Sequence, residues 1–348
     1  MLKEVYIKKF RKFKDVTFNI SPRLTLISGA NGIGKSTLLG IIANGSGTKS
    51  FRTINDKDFH PEFRDHFILN KEEHLDASKS NEYYEAIIKY NYNNIDVRKR
   101  VRTSHPNQKK LKLVPRTVDS NGINNDKISE SIEKQTGITG SARVPIPTVF
   151  VSMNRLFPFG ESDSSLKNIT KVNNRKNIED NEALLEDYVR MYNTVLPNSI
   201  KLSDVDLYES YKPKINYNVL YVMPSNSSIL TQSIGQDSLS GIINAILSFK
   251  NISHLDKYKS GILCIDELDA SLHPDAQKRL LKLLEKESAK LNLQIIFTSH
   301  SLTILKEMIR LSKKNDSYYS VLYYRFIFGL HNNSFRKLII CESLDIWF

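Results

Sequence analysis

Apolar and polar positions alternate with period two over residues 2–9 and again over 15–20, the pattern of two short strands that each bury one face. RLTLIS (23–28) is instead apolar almost throughout, as a strand covered on both sides would be, and the glycine-rich turn behind it runs into the apolar helix start LLGII. Residues 38–80 are mixed and polar. EYYEAIIKYNYNNIDVRKRVR (82–102) and residues 109–118 return to period two and predict antiparallel strands, a β-lobe attached to the core. Residues 119–141, rich in Asn, Ser and Gly, predict a partly disordered surface loop. VPIPTVFVSMNRLFPFGES (144–162) reads as a buried strand leading to a polar turn. In the charged insertion 163–215, NEALLEDYVRMYNTVL (181–196) predicts one amphipathic helix with Leu185, Val189, Tyr192 and Leu196 on a shared face. Its few turns suit a lid or dimer arm better than a long coiled coil. TQSIGQDSLSGIINAILSFK (231–250) predicts a polar turn opening an apolar helix, and GILCIDELDASLHP (261–274) and LQIIFTSHS (293–301) are apolar strands ending in polar residues. No internal repeat is visible.

Composition narrows the class without naming a function. The 348 residues, 40% hydrophobic and 25% charged, suffice for one large or two ordinary globular domains. No uncharged apolar run approaches membrane-spanning length, and Met1 leads straight into strand-like sequence, so a soluble cytoplasmic protein without membrane contact is expected. The two cysteines, Cys264 in an apolar run and Cys341 near the C-terminus, suggest neither a disulfide nor a zinc site. Fifty Lys and Arg against 38 Asp and Glu give a net charge of +12, which permits a polyanionic partner without requiring one. The densest basic stretch holds Arg98, Lys99, Arg100, Arg102, Lys109, Lys110, Lys112 and Arg116, with no acid between Asp96 and Asp119. On an outer hairpin face these residues would follow a nucleic-acid backbone; a solvated strand edge that resists aggregation is the alternative.

The chemistry begins at Gly29-Ala30-Asn31-Gly32-Ile33-Gly34-Lys35-Ser36-Thr37, a G-x-x-x-x-G-K-[ST] phosphate-binding loop in its required context of strand before and helix after. Glycines let the main chain curl its N–H groups around a polyphosphate, and the helix start adds its positive dipole end. Lys35 is expected to reach the β- and γ-phosphates of ATP, and Ser36 to ligate Mg²⁺. Downstream, the apolar strand GILCID ends in Asp266-Glu267, which a parallel sheet would bring beside the loop. Asp266 would then hold Mg²⁺ through water, and Glu267 would polarise the attacking water. His300, at the polar end of a third strand, stands where a γ-phosphate sensor would.

Together these elements resemble the ABC-type ATPase heads of structural-maintenance-of-chromosomes proteins, recombination-repair ATPases and overcoming-lysogenization-defect ATPases. The likeness rests on Gly29 to Thr37 as Walker A, Ser233-Ile234-Gly235-Gln236 as the signature, Asp266-Glu267 as Walker B, Asp269 to His273 as the D-loop and His300 as the switch histidine. It implies an α/β P-loop fold with a mixed central sheet, an antiparallel β-lobe and a short helical insertion. The division that follows is 1–160 with the P-loop and β-lobe, 161–225 as the insertion, 226–330 with signature, Walker B and switch histidine, and 331–348 as a tail. It also implies ATP and Mg²⁺ as ligands and a head-to-tail homodimer in which Ser233, Gly235 and Gln236 cap the nucleotide on the partner's Lys35. The short insertion, VSMNRLFPFGES and SIGQDSLSGIINAILSFK are similar to the compact ATPases of Septu-type and retron-associated antiphage systems, which implies a nuclease effector as partner. ATP used only to hold a scaffold together is the rival expectation, and a transporter subunit a third. The chain also departs from the pattern. Ser152-Met153-Asn154-Arg155 stands where a Q-loop glutamine belongs, so Asn154 or Arg155 would couple Mg²⁺ to the insertion. A second signature register exists at Leu239 to Gly241. RKLIICESLDIWF (336–348) resembles the first strand of a Toprim nuclease, with Glu342 and Asp345, but reads as a terminal strand or a remnant.

Overall fold

The computed structural model describes residues 1–70, 84–104, 111–156, 169–171, 181–212, 217–224, 234–324 and 339–340. Strands β1 (Leu2–Phe10) and β2 (Phe13–Asn19) precede β3 (Leu24–Gly29), helix α1 (Lys35–Gly45) and the short strands β4 (Thr48–Arg52) and β5 (Asp58–Phe59). There follow β6 (Glu85–Tyr92), β7 (Ile95–Thr103), β8 (Leu113–Thr117), helix α2 (Asp126–Thr136), β9 (Thr148–Val151) and β10 (Ile169–Lys171). Helix α3 (Asn181–Val195), β11 (Val205–Lys212), β12 (Tyr217–Pro224) and α4 (Ile234–Ile252) lead to β13 (Gly261–Ile265), α5 (Pro274–Leu291), β14 (Leu293–Thr298), α6 (Leu302–Lys314), β15 (Tyr319–Tyr324) and β16 (Ile339–Ile340).

The central sheet has the order β16-β15-β3-β14-β13-β9, and its five strands from β15 to β9 run parallel. The strands are apolar along their length because each is covered on both faces. Leu24, Leu26, Leu263, Ile265, Ile295 and Phe297 face a core built with α3 to α6, while Ile27, Ile262, Cys264 and Ile296 face one built with α1 and the lobe. Burial pushes the Cys264 thiol far up, as suits an inert core group. The predicted lead-in and β-lobe prove to be one antiparallel sheet, β2-β1-β6-β7-β8, with β1 paired to β6 across the sequence between them.

Three stretches differ from the sequence-based expectations. Residues 119–141 contain the ordered helix α2, because Asn125 caps its start by accepting from the Ile128 N–H and Gly137 ends it in a left-handed conformation, with Ile132 buried beneath. The insertion is not helical alone, since β10, β11 and β12 form an antiparallel sheet; the Val and Tyr content of VDLYESYK and YNVLYVMP favours strands. Helix α3 is packed into the head, with Leu184, Tyr188, Met191, Tyr192 and Val195 buried; Leu185, Val189 and Leu196 flank that stripe only partly covered. The Tyr188 hydroxyl donates to Ser240 Oγ on α4 (2.7 Å), Asp187 pairs with Lys250, and Arg279 Nε on α5 donates to the Val195 carbonyl (2.7 Å).

Candidate functional site

All parallel strands end at one edge, and the candidate residues converge there. Between β3 and α1, Gly29, Gly32 and Gly34 have φ of 145°, 72° and 103°, the curl that turns N–H groups toward a single centre. Gly34 is further constrained from outside: a Cβ there would lie 2.7 Å from the Phe13 ring, so the β-lobe hairpin presses on the phosphate loop. Lys35 is 8% exposed, and its Nζ donates to the Gly29 and Ala30 carbonyls at 3.0 Å each. Burial lowers its pKa, against the pull of Glu267, Asp266 and Asp269. Asn31 is exposed on the loop, and Thr37 lies behind it, 3.5 Å from Arg11.

Ser36 and Asp266, 230 residues apart, meet with Ser36 Oγ donating to Asp266 Oδ1 at 3.0 Å. Asp266 is 3% exposed and takes a second bond on the same oxygen from Thr298 Oγ1 at 2.7 Å. The Thr298 hydroxyl also accepts from the Glu267 N–H at 2.7 Å, so the last residue of β14 ties both acids in place. Glu267 has a left-handed φ of 51°, uncommon for a side-chain-bearing residue and typical of functional turns. The D-loop follows: Asp269 Oδ1 accepts from the His300 N–H (3.2 Å), and Gln277 Nε2 on α5 donates to the Asp269 and Leu272 carbonyls. His300 is exposed at the same edge.

The site fits ATP and Mg²⁺ on its own donors. A hydroxyl and a carboxylate already in contact, beside a curled loop and a buried amine, match the hard-oxygen preference of Mg²⁺ and the charge of a polyphosphate. Among the described residues no group of three His, Cys, Asp or Glu side chains comes together. A divalent ion at Ser36 and Asp266 would therefore complete its shell with phosphate oxygens and water.

Gly235 and Gln236 lie in the first turn of α4, while Ser233 falls outside the described residues, as do Lys109, Lys110, Glu342 and Asp345. Gly235 is buried against the carbonyl of Ser271 in the D-loop, which leaves no room for a Cβ. The second signature register is internal to α4, with Leu239 fully buried. Of the basic stretch, Lys99 contradicts the outer-face expectation. Strand alternation turns it inward, where it is fully buried and donates to Thr117 Oγ1 (2.7 Å) and the Thr139 carbonyl (3.0 Å). Arg98, Arg100 and Arg102 share the other face; there Arg100 donates to the Gly122 carbonyl and Arg102 pairs with Glu85, while Lys112 and Arg116 are exposed.

Sequence reasoning missed Thr298, which stands in FTSH at the polar end of its strand, and the hairpin residues Arg11 and Lys12. Lys12 Nζ donates to the Gly32 carbonyl at 2.6 Å, which adds a second cation to the phosphate loop. Next to the site, a cavity of about 410 Å³ opens between the β4–β5 hairpin, the end of β9 and α4, with Lys57, His66, Asp237 and Asn244 in its wall. Burial lowers Lys57 to about 8 and His66 to about 4.

A parallel sheet carrying the phosphate loop and the Asp266-Glu267 pair at one edge, joined to an antiparallel lobe, defines a P-loop nucleotide-binding fold. Residues 24–306 match a family described as "AAA domain, putative AbiEii toxin, Type IV TA system", and the chain belongs to that family. No curated protein matches the sequence. Among solved structures, the SMC head domain from Thermotoga maritima is 14% identical over 94% of this chain and 95% of that chain, with a TM-score of 0.46. The recombination mediator protein RecF of the RecFOR pathway is 13% identical over 93% and 96%, with a TM-score of 0.47. Among the described residues no helix is long and apolar enough to cross a membrane.

Proposed function

We propose that the protein binds and hydrolyses ATP as a head-to-tail homodimer, and that closing and opening of the dimer switches an associated nuclease effector, in antiphage defence or DNA repair. The observation that carries the reading is the meeting of Ser36, Asp266, Thr298 and Glu267 at one sheet edge. Membership of a family described as an AAA domain of a putative toxin system supports an ATP-dependent role. Lys35 and the loop N–H groups bind and orient the triphosphate; the Ser36 hydroxyl and the Asp266 carboxylate would hold Mg²⁺. When bound, the ion would neutralise charge on the phosphate oxygens. Glu267 accepts a proton from the water that attacks the γ-phosphoryl group, and His300 contacts that group from the end of β14. Ser233, Gly235 and Gln236 close on the nucleotide held by the partner's loop.

The test is steady-state ATP hydrolysis by the protein and by Glu267→Gln, with and without duplex and single-stranded DNA at two salt concentrations. The variant should lose turnover by two orders of magnitude or more (~10²-fold, the scale of a positioned general base) and accumulate as an ATP-bound dimer. A monomer that hydrolyses ATP equally well with either residue would sink the reading. Stimulation by DNA that fades with salt would assign a role to Arg98, Arg102, Lys112 and Arg116. Turnover indifferent to DNA favours a protein effector. No turnover by the wild type, with ATP still holding the dimer, favours the scaffold.

A further inference from the structure

Arg155 follows β9 in a short 3₁₀ turn, Met153–Leu156, and is only 6% exposed. Each of its three guanidinium nitrogens donates. Nε donates to Ser238 Oγ at 3.0 Å, Nη1 to the Asp266 carbonyl at 2.6 Å and the Ser152 carbonyl at 3.1 Å, and Nη2 to the Glu267 carbonyl at 2.6 Å. Burial lowers its pKa to about 10, against the pull of Asp266, Glu267 and Asp269, so it stays charged at neutral pH. The neighbouring Asn154, by contrast, is exposed, and its N–H donates to Ser152 Oγ.

The arginine therefore joins two separate parts of the site. One is the left-handed turn at Glu267, pinned on its N–H side by Thr298 and on its carbonyl side by Arg155. The other is Ser238, one turn into α4. The first turn of α4 also touches the D-loop through Gly235 and the Ser271 carbonyl, where Ser271 has a φ of 62°. A displacement of the start of α4 thus reaches the turn that aims Glu267 through one planar fork. A lysine could make no more than part of that contact set, because its ammonium is a point donor without the fixed geometry.

We propose that Arg155 is a positioning residue that relays the placement of the start of α4 to Glu267, so that hydrolysis depends on how α4 is seated. The proposal rests on the reading of Glu267 as the base. Arg155→Lys, Arg155→Met, Ser238→Ala and Ser238→Thr are compared with the wild type and Glu267→Gln for kcat, for affinity toward a fluorescent ATP analogue and for thermal midpoint. Both Arg155 variants should lose about tenfold to a hundredfold in kcat, the scale of a small misplacement of a reacting group, with nucleotide affinity within about twofold. Ser238→Ala, which spares the carbonyl bonds, should lose kcat severalfold, and Ser238→Thr, which keeps the hydroxyl, should restore it. Wild-type kcat in Arg155→Lys, full activity in Ser238→Ala, or losses of kcat matched by equal losses of affinity and midpoint would overturn the relay. Absence of wild-type turnover would instead overturn the ATPase reading itself.

Discussion

Thr298 shows how much a single hydroxyl can organise. It donates to Asp266 and accepts from the Glu267 N–H, and both partners lie beside the strand end where water is scarce. Thr298→Val keeps the shape and removes both bonds, leaving a main-chain N–H without its acceptor. The cost should be about 1–3 kcal/mol in folding stability, read from the denaturant midpoint, together with a clear loss of ATP turnover. Thr298→Ser should keep both properties near wild type, and a fully active Val variant would deny the tie any role. The sequence disclosed the acids and the phosphate loop because their chemistry is confined to a contiguous motif. Thr298 was not legible in that way, since what makes it matter is a neighbour 32 residues away that the sheet order supplies. Arg155 stood in between: its place where a Q-loop glutamine belongs raised the question, and the structure adds that Arg155 is buried against the carbonyls of Asp266 and Glu267 while Asn154 is exposed.

Elements were legible where a face repeats and obscure where a cap decides. The strands of the lobe and the central sheet follow from period-two and wholly apolar runs, whereas α2 depends on Asn125 and Gly137 at its ends within a composition that reads as loop. Helix α3 was found by its periodicity, but the faces that tie it to α4 and α5 could not be read from spacing alone. Met191, fully buried in that contact, is a direct check. Met191→Ala should cost about 2–5 kcal/mol by chemical denaturation; a negligible cost would mean α3 swings free as a lid or arm. Strand β7 carries the other lesson, since alternation divides one basic run into an exposed face and the inward Lys99. Burial holds that amine at about 8, below its unfolded value of about 10.4. Between these values the unfolded chain holds more proton, so the stabilising effect of deprotonation grows as pH rises from about 8 toward 10 and is absent below 8. The stability of the wild type should therefore climb relative to Lys99→Met across that window, by at most ~1.4 kcal/mol per pH unit. Parallel denaturation curves for the two proteins would show that the buried amine is not the cause.

At the scale of the whole molecule, the site is an agreement between distant parts. The lobe contributes Phe13 and Lys12 to the phosphate loop, the central sheet contributes the acids, and α4 reaches them through Arg155. None of these three borders is visible in a local pattern, which is why the class of the fold was legible and the linkage between its pieces was not. The strand order has a consequence for how such a chain comes into being. The phosphate-loop strand β3 lies between β14 and β15, and Ser28 bonds to a carbonyl 271 residues further along. A ribosome thus finishes the phosphate loop long before either flanking strand exists. Contacts of such long range close late and slowly. Until then the loop has its glycines and its lysine but no acids opposite them, so competence to handle nucleotide waits on strands made more than two hundred residues after the loop itself.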